Sequence, residues 1–88
     1  MVSKTVKVIN AQGLHMRPAG VFAKAMAAHK DCKVTLNANG KSVNGKAVMQ
    51  LMAACIKYGC TVEIACDGED EQAVLDEAAA MFESGFGE

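Results

Sequence analysis

Apolar and polar residues alternate over residues 2–9, with Val2, Val6 and Val8 in one phase, and this period of two predicts a strand that runs into the turn-like Asn10-Ala11-Gln12-Gly13. From Met16 to about Ala28 the period changes. Ala19, Phe22, Ala25 and Met26 recur at helical spacing, and Pro18 falls in the first turn, where no N–H is needed. A second strand is expected over Cys32–Asn37, a tight turn in which Gly40 supplies positive φ, and a short third strand over Lys41–Asn44 that completes a hairpin. The stretch from Lys46 to Ile56 is helical in composition and should stop at Tyr58-Gly59. A fourth strand follows from Cys60 to Cys66. Acidic residues between Asp67 and Glu71 then favour the positive end of a last helix, whose apolar stripe is Val74, Ala78, Met81 and Phe82 and which ends at the terminal Gly85-Phe86-Gly87-Glu88.

The order is β-α-β-β-α-β-α. No linker, repeat or low-complexity stretch divides it, so residues 1–88 are expected to form a single α+β two-layer domain, with an antiparallel or mixed sheet carrying its helices on one face. Lys33, Thr35 and Glu63 are out of phase with the core positions, so the other face should be wet.

Length and charge then narrow the function. A chain of 88 residues buries roughly 60 to 65% of its unfolded surface and cannot enclose a deep active site. Nine Lys+Arg against ten Asp+Glu, scattered along the chain, give no electrostatic footprint for nucleic acid. No apolar run resembles a signal peptide or approaches the roughly 18 residues of a membrane span, which predicts a cytoplasmic protein without membrane insertion. The four cysteines then fall in a reducing compartment. Cys60 and Cys66 share one face of the fourth strand with sulfurs about 20 Å apart, too far to bond. Cys32 is in phase with Val34 and Leu36. All read as small buried hydrophobes, and without a Cys-x-x-Cys spacing no metal site is expected.

The candidate chemistry lies at "GLHMRPAG", residues 13–20. His15 precedes a helix, follows a flexible turn and has Arg17 two residues on. A helix N-terminus offers unpaired N–H groups and about half a positive charge, so a phosphoryl group on the preceding side chain would be held without extra machinery. Arg17 adds a permanent delocalised charge, and Pro18 fixes the backbone that aims both. A neutral imidazole is a competent nucleophile near neutral pH, and its phosphorus–nitrogen bond is readily passed on. The four residues His15 to Pro18 alone equally allow a helix-capping histidine beside a solvated arginine. His29, near the end of the same helix, shows no partner and is read as a surface residue. In the middle helix only Gln50 is polar between Ala47 and Ile56, so Val48, Met49 and Met52 are left over from any single stripe, either as core or as an exposed docking patch that adaptable thioethers would suit. Met16, Gly20 and Lys24 share a face of the first helix, and Gly20 there costs about 1 kcal/mol relative to alanine, which close approach of a partner would explain.

The chain resembles the HPr family, the histidine-containing phosphocarriers of the bacterial phosphoenolpyruvate:sugar phosphotransferase system (PTS). The resemblance runs essentially end to end and rests on "GLHMRPAG", on "NGKSVNGKAVMQLM" and on "GEDEQ" before the last helix. It implies an open-faced β-sandwich, a four-stranded antiparallel sheet with three helices on one face. It implies that His15 accepts a phosphoryl group on Nδ1 from phosphorylated Enzyme I and donates it to the IIA component of a sugar permease, that Arg17 neutralises the phosphoryl charge and that Pro18 sets the loop. Met16, Gly20, Lys24, Val48, Met49 and Met52 match the surface on which both partners dock. It implies no cofactor, a monomer, and a carrier rather than a turnover enzyme. The alternative is an HPr-like regulatory module that docks partners without relaying phosphate, although relatives of that kind have lost the histidine and this chain keeps it. The regulatory serine of many relatives, which opens the middle helix, is matched by Ala47, so no switch is expected there. Ser42 lies in the predicted strand and does not take over that role. Gly45 replaces the aliphatic residue common two positions before that serine, a departure that bears on how the middle helix is anchored.

Overall fold

The structure, a computed structural model, describes residues 1–9, 13, 14, 16–54 and 56–87. Its elements follow in the order β1 (Val2–Lys7), α1 (Met16–Ala27), β2 (Cys32–Ala38), β3 (Lys41–Asn44), α2 (Val48–Ala53), β4 (Thr61–Gly68) and α3 (Glu71–Glu83), closed by a 3-10 turn at Gly85–Gly87. The strands form one four-stranded sheet in the order β1-β4-β2-β3, antiparallel throughout.

Side-chain alternation decides which face is covered. Val6 pairs with Val62, Leu36 with Ile64 and Val34 with Cys66, and all six side chains are buried beneath the helices. Lys33 and Glu63, out of phase, are exposed on the open face, and Thr35 is half-buried there. Across that open face the Ser42 hydroxyl donates to Asn37 Oδ1 and the Asn37 amide donates to Glu63 Oε1 at 3.0 Å, tying three strands together with polar groups. α1 contributes Pro18, Ala19, Phe22, Ala23 and Met26 to the core, and α3 contributes Val74, Leu75, Ala78, Ala79 and Phe82.

The glycine-flanked end of the chain does more than terminate α3. Phe86, with φ of 57°, turns its ring back onto Phe82 (centroids 4.9 Å apart) and Phe22 (6.2 Å), and Phe22 and Phe82 themselves meet edge to face at 5.4 Å.

Three sequence boundaries are corrected. β1 ends at Lys7, yet Val8 still donates its N–H to Cys60 O and accepts from Gly59 N–H, both at 2.9 Å, so the chain keeps its path without ladder geometry. β4 starts one residue later than expected, leaving Cys60 half-buried, and runs on to Gly68. The third correction is the largest. α2 has six residues and does not reach Ile56, because the Ile56 carbonyl accepts the Leu14 N–H at 2.8 Å, while the Cys60 N–H, its partner in a continued helix, goes to Lys57 O at 3.0 Å.

Candidate functional site

The N-terminus of α1 is held in place by the segment after α2. Gly13 has φ of 65°, and a Cβ there would sit 2.5 Å from Ile56 O and 2.6 Å from Lys57 Cα, so only glycine allows this approach. Leu14 is buried, and its N–H closes the bond to Ile56 O. Met16 is the first residue of α1 and is exposed. His15 lies outside the described residues; its chain neighbours on either side are thus a buried anchor and the first residue of a helix.

The described part of this helix end favours an anion. Its first turn contains no acidic residue. Its leading N–H groups have no intrahelical acceptors, and the macrodipole places positive charge there. The Arg17 side chain is exposed and, among the described residues, enters no ion pair or hydrogen bond. Pro18 is buried, setting the backbone angle without requiring an acceptor.

Beyond this end the sequence-predicted face divides. Lys24 is exposed and Gly20 half-buried, and a Cβ on Gly20 would meet nothing within 4 Å, so no contact inside the chain demands glycine there. On α2, which packs against α1, Met49 and Met52 are exposed, Leu51 is buried, and Val48 is half-buried against the core. Val48 is therefore part anchor, and the core-or-patch alternative resolves residue by residue. Sequence reasoning missed Val21, which is half exposed one turn after Arg17; the signal available was its position four residues beyond that arginine, on the side opposite the buried stripe.

α2 is anchored from its N-terminal side by Asn44. Asn44 N–H donates to Gln50 Oε1 at 3.0 Å, Asn44 Oδ1 accepts the Lys46 N–H at 2.9 Å, and Asn44 O accepts the Ala47 N–H at 3.1 Å. Gly45 is buried where a Cβ would lie 2.6 Å from Val34 Cγ1, so close packing on β2 takes the place of an aliphatic contact. Ala47 is the N-cap of α2 and offers no side-chain cap.

The remaining candidates are structural. His29 does have a partner: its Nε2 lies 2.7 Å from Glu77 Oε1, which ties the end of α1 to α3, and its carbonyl accepts from Lys46 Nζ at 2.7 Å. Cys32 and Cys66 are buried, and burial, followed by the neighbouring Cys32 thiol, pushes the Cys66 thiol up to about 11. Such a thiol is a poor nucleophile and a poor metal ligand. Cys60 is half-buried, its sulfur accepting the Lys57 N–H at 3.4 Å; Cys55 lies outside the described residues. Among the described residues no cluster of three His, Cys, Asp or Glu could hold a metal, and no helix is long and apolar enough to cross a membrane.

The family model described as "PTS HPr component phosphorylation site" matches residues 2–84. The chain belongs to the HPr family. It is 38% identical over 88 residues to phosphocarrier protein HPr of Treponema pallidum, covering 100% of this chain and 99% of that one. It is 39% identical over 80 residues to the HPr-like protein Crh of Bacillus subtilis, covering 91% and 93%. Among solved structures, HPr from Thermoanaerobacter tengcongensis superposes with a TM-score of 0.91 at 31% identity, covering 100% of this chain and 98% of that one. The HPr architecture, an open antiparallel sheet with three helices, is thus shared in full.

Proposed function

We propose that this chain relays a phosphoryl group through His15 within the PTS, taking it from phosphorylated Enzyme I and giving it to the IIA component of a sugar permease. His15 Nδ1 attacks phosphorus as the bond to the donor's leaving group breaks. In the second transfer an acceptor on IIA attacks and the His15 nitrogen leaves. Between the two, the phosphoryl charge is met by the Arg17 guanidinium and the first N–H groups of α1. Pro18 and the seating of Gly13 and Leu14 on residues 56 and 57 position these groups in advance of reaction.

The observation that carries the reading is the Arg17 side chain: exposed, unpartnered among the described residues, in an acid-free helix turn that directly follows the histidine in a chain of this family. The partners supply the rest of the catalysis, so the chain is substrate to one protein and donor to the next. Both dock on the exposed face of Met16, Gly20, Lys24, Met49 and Met52, with Val48 at its edge. A small apolar face flanked by charge suits transient encounters, and the carrier acts as a monomer.

Phosphoenolpyruvate and Enzyme I should add one phosphoryl group to the chain, labile in acid and stable in base, and His15→Ala should abolish it. Intact-mass spectrometry that finds full phosphorylation of His15→Ala would overturn the assignment.

A further inference from the structure

The exposed residues of α1 and α2 repeat one chemistry. The chain has six methionines, and Met26 shows how the fold treats one it needs for packing, with 0% of its surface exposed, while Met81 is half-buried. Met16, Met49 and Met52 are instead 69%, 78% and 36% exposed, on the first residue of α1 and on α2 packed against it. The fourth exposed methionine, Met1, stands apart beside α3, where its amino group lies 3.0 Å from Glu71 Oε2.

Resting on the relay reading, we propose that Met16, Met49 and Met52 form a modification site at which a peroxide reversibly switches off docking of the partner proteins. The thioether sulfur attacks the peroxide oxygen and the O–O bond breaks. Sulfur is oxidised by two electrons to the sulfoxide and the peroxide is reduced to an alcohol or water, the hydrogen of the transferred oxygen passing to the departing one. The product replaces a soft apolar group with a polar, chiral one. In the free chain this costs little, because Met16 and Met49 lie mostly in water and Met52 partly so. On docking, the sulfoxide oxygen must leave water without a matching donor, so the penalty falls on the encounter and not on the fold. A methionine sulfoxide reductase restores the thioether.

The test treats the folded chain with hydrogen peroxide, then with dithiothreitol to return any oxidised thiol to its reduced form. Peptide mass mapping should find oxygen on Met16, Met49 and Met52 and none on Met26, with circular dichroism unchanged. The rate of phosphorylation by phosphoenolpyruvate and limiting Enzyme I should fall roughly tenfold or more and recover with methionine sulfoxide reductases A and B. In the triple variant Met16→Leu, Met49→Leu, Met52→Leu, the ratio of its own rates before and after peroxide should be close to one. An oxidised chain that is phosphorylated at the untreated rate overturns the inference and leaves the relay standing. A triple variant that remains peroxide-sensitive overturns it too. If the untreated chain is not phosphorylated at all, the relay reading fails and takes this inference with it.

Discussion

α1 and α2 pack against each other, yet they are held by different means. Five of the twelve residues of α1 are buried in the core they share with α3 and the covered face of the sheet, and Phe22 meets Phe82 of α3 edge to face. α2 has six residues and a single buried side chain, Leu51. Six residues lie far below the roughly 12 to 15 at which a helix is marginally stable alone, so tertiary bonds must sustain α2. Asn44 supplies them on one side, and the diversion of the Ile56 carbonyl to Leu14 shapes the other. A helix held by polar clasps can point its apolar side chains outward. Met49 and Met52 do so, and they stand open to solvent where Phe22 and Met26 do not.

That contrast can be broken most severely on the α1 side. Phe22 is fully buried and meets both Phe82 and Phe86, so Phe22→Ala should cost about 3 to 5 kcal/mol. In a domain this small that approaches the whole folding free energy, and urea denaturation of Phe22→Ala near the wild-type midpoint would contradict the packing described. The same experiment on α2 should separate neighbours. Leu51→Ala should cost about 2 to 4 kcal/mol, whereas Met49→Ala, two residues earlier, should stay within about 0.5 kcal/mol in stability while slowing phosphoryl transfer. If the two variants lose stability equally, α2 is not the one-anchor helix inferred from burial.

A smaller change should strengthen α2. Ala47 is its N-cap, in extended conformation with no side-chain bond to the free N–H groups that follow. Ala47→Ser would supply the missing acceptor and should stabilise the chain by about 0.5 to 1 kcal/mol in thermal unfolding. By the resemblance, it would also place a hydroxyl where many relatives carry a regulatory serine. The unaltered chain, incubated with ATP and the kinase that modifies that serine, should yield no phosphoserine, and Ala47→Ser should become a substrate.

The strands and the two long helices were legible because periods of 2 and 3.6 survive wherever one face is buried, and the buried residues Val34, Leu36, Val62, Ile64, Phe22 and Phe82 kept those periods. What the sequence hid depends on contacts between distant residues. The end of α2 was invisible because Ile56 is a sound helix residue, and only Leu14, 42 positions earlier, claims its carbonyl. Glu77 as the partner of His29 lies 48 residues away. Phe86 reads in the sequence only as part of the segment that ends the last helix, because nothing local shows that glycine-permitted backbone returns its ring to Phe22. In the site, the placement of Arg17 and Pro18 in the first helical turn followed from local rules, whereas the seating of Gly13 against Lys57 required the fold.

The buried thiol and the exposed thioethers complete the comparison, since sulfur on the two sides of the molecule should respond to different reagents. Cys66 is held protonated by burial and by Cys32, with its folded value raised from near 9 to about 11. Below about pH 9 both folded and unfolded chains keep this proton, and the thiol imposes no pH dependence. Between about 9 and about 11 the unfolded chain releases it while the folded chain does not, so stability must fall as pH rises through that window. Urea midpoints measured near pH 8 and near pH 10 should therefore diverge more for the wild type than for Cys66→Ala, whose cavity penalty is the same at both values. An equal alkaline loss in the two proteins would mean that the Cys66 thiol is not shielded as its place on the buried face of β4 requires. The same alkaline shift should leave peroxide uptake at Met49 unchanged, because a thioether carries no proton to lose.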